Sequence, residues 1–100
     1  MFHVEHHQIR FEPSGREVPA QRGERLYAAA QRAGLPVGRS CQLEGICARC
    51  GLRILAGAEN LSPETTAEQH IKAANRIDPA LRLSCLARIR GPVTATADYW

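Results

Sequence analysis

Three of the chain's four cysteines fall within ten residues, in "CQLEGICARC" from Cys41 through Cys47 to Cys50, and the fourth, Cys85, follows after a gap of 34 residues in "LRLSCLARI". Four thiols permit two disulfides, a metal centre or a redox pair. A reducing compartment disfavours disulfides. A structural zinc site draws its ligands in two close pairs, whereas these are arranged as three plus one. A dithiol built on "CARC", Cys47 and Cys50, leaves Cys41 and Cys85 without a role, and its loop does not open from a clear strand into a helix. Soft thiolates also suit iron bridged by sulfide. A compact C-x5-C-x2-C run with one remote cysteine can clamp a two-iron cluster with two thiolates on each iron. A Rieske centre needs two histidines beside the cysteines, and the four here, His3, His6, His7 and His70, all lie outside the loop.

The flanking text carries a resemblance. The spacing C-x5-C-x2-C…C, the lead-in "RGERLYAAAQRAGLPVGRSC" and the segment "DPALRLSCLARIRGPVTATAD" resemble 2Fe-2S ferredoxins of the adrenodoxin and putidaredoxin type, over residues 8 to 98. The resemblance implies a β-grasp fold, a 2Fe-2S cluster held by Cys41, Cys47, Cys50 and Cys85, and a one-electron carrier, not an enzyme. It implies a ferredoxin reductase as electron donor and an oxygenase or the iron–sulfur assembly machinery as acceptor. The alternative is a redox-sensing or protective protein that binds a partner enzyme in one oxidation state of the cluster. The chain departs from the family at two places. Ala48 follows the second cysteine, where many ferredoxins have glycine. The family's acidic docking helix matches "AEQHIKAANRID", which offers Glu68 and Asp78 but also Lys72 and Arg76.

These cysteines need a scaffold, and the pattern of the chain supplies one. Alternation places Ile9 and Phe11 on one face of a strand over 2–11. A turn through Pro13, Ser14 and Gly15 leads to a second strand over 16–20, completing a hairpin. Leu26, Ala29, Ala30 and Ala33 recur with helical period in a helix over 24–34, which Gly34 ends and Pro36 keeps from resuming. The cysteine loop occupies 38–50, and a strand over 52–57 ends at Gly57. A second helix is expected in 61–75, with Ser62 as N-cap, Pro63 at its first position and Glu64 near its positive end. Its apolar stripe is Ala67, Ile71 and Ala74. Strands over 81–89 and 93–98, separated by Gly91 and Pro92, close the chain. Strands, a crossover helix and further strands predict an α+β domain, which the resemblance sharpens to a β-grasp with a mixed sheet, one main crossover helix and a second short helix. At 100 residues the chain is expected to be one ferredoxin domain over 1–100.

Composition bounds the partners. Hydrophobic residues make up 44% and charged residues 23%, ordinary for a globular domain. No apolar run approaches the ~20 residues of a membrane span, and "MFHVEHHQIR" lacks the form of a secretory signal, so a cytoplasmic monomer is expected. The net charge of +3 comes from twelve arginines and one lysine spread along the chain, with no aromatic motif interleaved, which argues against nucleic acid. Arg39, Arg49 and Arg53 lie near the first ligands in sequence, and Arg82 and Arg88 flank Cys85. Positive charge there favours the reduced cluster and an acidic docking surface on the partner. His3, His6 and His7 read as a solvated strand edge, and Tyr99 and Trp100 as aromatics packed on the core or its edge.

Overall fold

The computed structural model describes residues 6–37, 51–97 and Trp100. Five strands form one mixed sheet: β1 (His6–Glu12), β2 (Arg16–Gln21), β3 (Gly51–Ala56), β4 (Arg82–Leu83) and β5 (Val93–Thr96), in the order β2-β1-β5-β3-β4. β1 and β2 form the expected antiparallel hairpin, with Ile9 opposite Val18. β5 then returns parallel to β1, pairing Ile9 with Val93 and Phe11 with Ala95. Two antiparallel pairings, β3 with β5 and β3 with β4, extend the sheet to its far edge. A parallel pair needs a long crossover, and everything between β2 and β5 provides it. This is the α+β, β-grasp architecture that the sequence predicts.

One sheet face is apolar because the strands alternate. Ile9, Phe11, Leu52, Val93 and Ala95 point into a single core and are fully or almost fully buried. Helix α1 (Leu26–Arg32) covers that face with Leu26, Ala29 and Ala30. The alanines leave room for close helix–sheet contact. α1 ends as its sequence dictates: Gly34 adopts φ +76°, its N–H donates to the Gln31 carbonyl and Leu35 N–H to that of Ala30. That pair of bonds is a Schellman motif, and it satisfies carbonyls the helix leaves open.

The second helix corrects the sequence reading at both its start and its face. α2 spans Thr66–Ala74, and its N-cap is Thr65, whose hydroxyl accepts from Glu68 N–H at 3.1 Å. Ser62 is engaged elsewhere. Its hydroxyl accepts from Arg88 N–H at 2.9 Å and its own N–H donates to the Arg88 carbonyl, which holds residues 61–62 extended. Of the expected apolar stripe, Ala67 and Ala74 are exposed and Ile71 is half-buried. The face turned inward carries Glu68 and Lys72, at 1% and 2% exposure. The expected strand over 81–89 is also shorter. After Leu83 the chain turns through 84–86, and Arg88 and Ile89 make only isolated bridges, to Arg25 and Leu61.

Candidate functional site

Of the four predicted ligands, Cys41, Cys47 and Cys50 lie outside the described residues. Cys85 is described, and it is 1% exposed, packed with Tyr27 and Leu83. The turn that carries it is closed by two bonds to one acceptor: Leu86 N–H and Ala87 N–H both donate to the Leu83 carbonyl at 2.9 Å.

Helix α1 depends on this turn. Its N-cap residue, Arg25, supplies no side-chain acceptor, so the first N–H groups of the helix need acceptors from elsewhere. The cysteine turn provides them. Leu26 N–H donates to the Ala87 carbonyl and Tyr27 N–H to the Ser84 carbonyl, each at 3.0 Å. Start of helix and turn are thereby locked together on either side of Cys85.

Helix α2 grips the same segment from the other side. The Glu68 carboxylate accepts from Arg82 through Nε at 2.9 Å and Nη2 at 3.2 Å, and from Leu83 N–H at 3.0 Å. One turn along, Lys72 Nζ donates to the carbonyls of Pro79 at 2.7 Å and Leu81 at 2.8 Å and pairs with Glu64. A buried charge is tolerated where it is paired and its hydrogen bonds are complete, and these meet that condition. Glu68 and Lys72, which lie on the stretch that matches the family's docking helix, therefore do an internal job: they hold residues 79–83, the run-in to Cys85. That a helix lies within 61–75 was legible in the sequence, but nothing in it distinguished these charges from exposed ones.

Both ends of the cysteine loop converge on this turn. Val37, the last described residue before the loop, packs on the cluster formed by Tyr27, Leu83 and Cys85. Gly51, the first described residue after it, pairs with Leu83. The residue that follows Cys50 thus lies opposite the residue two before Cys85. The fold brings the root of the three-cysteine loop to the fourth cysteine, as a three-plus-one ligand set requires.

The arginines divide. Arg82 is spent on Glu68. Arg53 bonds Asp78 at 3.0 Å, and the Asp78 carboxyl is held below its ordinary pKa first by Ala80 N–H and then by Arg53. Arg88 reaches the Gly23 carbonyl. Arg82 and Arg53 thus carry their own counter-charges, which weakens their expected contribution to the cluster's potential. Arg39 and Arg49 lie outside the described residues. His6 and His7 stand opposite Gln21 and Ala20 of β2, where β1 runs beyond its register with β5, and His3 lies outside the described residues. Among the described residues no cluster of three or more His, Cys, Asp or Glu could hold a metal, and no helix is long and apolar enough to cross a membrane.

The donor chemistry fits an iron–sulfur group: a buried sulfur on a rigid turn, at the root of a loop bearing three more. Comparison with known proteins agrees. A family model described as a 2Fe-2S iron-sulfur cluster binding domain matches residues 9–90, a span that includes all four cysteines. The chain is 33% identical to the 2Fe-2S ferredoxin-5 of Aquifex aeolicus over 69 residues, 68% of this chain and 72% of that protein. It is 30% identical to the 2Fe-2S ferredoxin of Escherichia coli K12 over 79 residues, 77% of this chain and 70% of that one. The chain belongs to the 2Fe-2S ferredoxin family: it is an electron-transfer protein that carries a 2Fe-2S cluster. Among solved structures, the ISC-like 2Fe-2S ferredoxin of Pseudomonas putida superposes with a TM-score of 0.79 at 15% identity, covering 94% of each chain. The ferredoxin reductase in carbazole 1,9a-dioxygenase superposes at 0.74 and 17% identity, covering 96% of this chain but 29% of that larger one. At such identities the likeness establishes the fold.

Proposed function

We propose that this chain is a one-electron shuttle of the adrenodoxin and putidaredoxin branch, a single domain over 1–100 that acts as a cytoplasmic monomer. Cys41, Cys47, Cys50 and Cys85 hold the cluster. It takes electrons from a ferredoxin reductase and delivers them to an acceptor enzyme, an oxygenase or the iron–sulfur assembly machinery. The bound cluster supplies a site that gains and loses one electron. The chain's own residues hold that site still. Tyr27 and Leu26 fix the turn through its carbonyls, and Glu68 fixes the backbone just before it. Val37 and Gly51 anchor the loop.

The observation that carries this reading is the convergence of Val37 and Gly51 on the buried Cys85 turn. A ligand held from three sides changes little in position with oxidation state, which suits rapid electron exchange. The neighbours named as a ferredoxin reductase, and as NdmA with the ferredoxin domain of NdmD, support redox enzymes as partners. With the acidic face of α2 absent, Arg39 and Arg49 are the docking charges, and the partner presents carboxylates to them.

The test is stopped-flow reduction of the reconstituted protein by catalytic amounts of a flavin-containing ferredoxin reductase with an acidic docking face, read by bleaching of the cluster's visible absorbance, at rising ionic strength. Turnover should be fast and should fall with salt, because steering between opposite charges is screened. Loss of iron and acid-labile sulfide in C41S, C47S, C50S and C85S checks the ligand set. A C85S protein that keeps its full content and spectrum would overturn it.

A further inference from the structure

Ser84 is 0% exposed, and its hydroxyl has no hydrogen-bond partner among the described residues. Its backbone, by contrast, is engaged, since the Ser84 carbonyl accepts from Tyr27 N–H. Serines in turns ordinarily return their hydroxyl to a nearby carbonyl. Here the carbonyl three residues back, Leu81, already accepts from Lys72 Nζ at 2.8 Å. Alanine would fill the position with no polar atom to satisfy, so a buried hydroxyl here calls for an acceptor. The next residue is Cys85.

We propose that the Ser84 hydroxyl donates a hydrogen bond to sulfur of the bound cluster, either the Cys85 thiolate or a sulfide beside it, and so sets part of the reduction potential. The inference rests on Cys85 being a ligand. Hydrogen bonds to cluster sulfur are among the levers a protein has on the potential. Reduction adds negative charge to the sulfurs, and a donor aimed at them binds the reduced form more strongly. Ser84 is thus a positioning and tuning residue that raises the potential. Its carbonyl, held by α1, keeps it in place.

The experiment compares wild type, S84A and S84G, all reconstituted with iron and sulfide. Iron and sulfide contents are measured first, so that loss of the cluster is told apart from loss of the hydrogen bond. Both variants should load fully and show a lower potential in protein-film voltammetry. The expected change is about tenfold in the one-electron equilibrium, or ~59 mV. The Fe–S stretching bands of the wild type should shift in D2O by more than those of the variants. Because S84A and S84G remove the same hydroxyl but leave different volumes, equal shifts assign the effect to the hydrogen bond. Loaded variants whose potential and isotope response match the wild type overturn the proposal, even if they lose the cluster at a lower temperature. Should S84A load poorly, S84G is read in its place. A C85S protein that keeps its full iron and sulfide content with an unchanged spectrum overturns the ligand assignment and, with it, this inference.

Discussion

The backbone N–H of Leu83 donates to the carboxylate of Glu68 at 3.0 Å, two residues ahead of Cys85. A helix side chain thus stands in for the neighbouring strand that Leu83 N–H lacks, and it brings Arg82 with it. The charge on α2 and the position of Cys85, the proposed ligand, are consequently one problem.

Glu68→Gln tests that link. The amide can still accept from Leu83 N–H, but Arg82, with its side chain 12% exposed, loses its counter-charge. Breaking one side of a buried ion pair costs about 3 kcal/mol, which in a domain of this size lowers the transition temperature by more than ~10 °C. The measurement is the temperature at which the cluster's visible absorbance is lost. Lys72→Met should act in the same direction, because the Pro79 and Leu81 carbonyls lose their shared donor. Arg53→Gln is the control: its pair with Asp78 is solvent-exposed, and the transition should stay within experimental scatter.

Gly57 provides a second test, at the opposite end of β3 from the residue that pairs with the Cys85 turn. It ends β3 with φ +79°, and a Cβ built there lies 2.3 Å from the Pro92 carbonyl oxygen and 3.1 Å from Val93 Cα. That carbonyl is held by Asn60 Nδ2 at 2.7 Å, so it cannot yield without loosening the start of β5. Gly57→Ala should cost about 3 kcal/mol, roughly 1–2 from the left-handed backbone and the remainder from the displaced carbonyl. Gly23 shares the backbone sign, φ +89°, but has no atom within 4 Å of its built Cβ. Gly23→Ala should cost only about 1 kcal/mol. Thermal unfolding of the two variants side by side separates backbone strain from collision.

The contrast between Gly34 and Ser62 shows what the sequence could and could not convey. Gly34 ends α1 through bonds within five residues, so its effect is local and visible in the text. Ser62 has the residue type of a cap, with Pro63 behind it, yet its hydroxyl is taken by Arg88, 26 positions away, and the helix begins at the next acceptor, Thr65. Alternation in β1 and β5 was legible because Ile9, Phe11, Val93 and Ala95 bury apolar groups. The inner face of α2 was not, because its burial is ionic and its partners come from 79–83. In the candidate site, four cysteines at telling intervals announce a cluster. The capping of α1 by the Ser84 and Ala87 carbonyls leaves no mark on residue type at all, since every residue has a carbonyl.

Trp100 closes the core at the end of β1 and supplies the last test. Its ring meets Phe11 edge to face, with centroids 5.6 Å apart and planes at 88°. Its indole N–H donates to the Pro36 carbonyl at 2.6 Å. Pro36 lies directly before Val37, the residue that roots the cysteine loop on the Cys85 cluster. The aromatic contact expected from the sequence therefore reaches the approach to the site. Trp100→Phe keeps the ring contact but leaves the Pro36 carbonyl without this donor, which should cost about 1 kcal/mol. Trp100→Ala removes both, and adds the ~0.5–1.5 kcal/mol of an aromatic pair to the lost burial. Because this is the chain's sole tryptophan, its emission in the wild type reports the contact directly. Denaturant titrations should show it red-shifting together with loss of the cluster's visible absorbance. Emission that shifts well before the absorbance falls would mean that Trp100 packs on a part of the fold uncoupled from the loop's root.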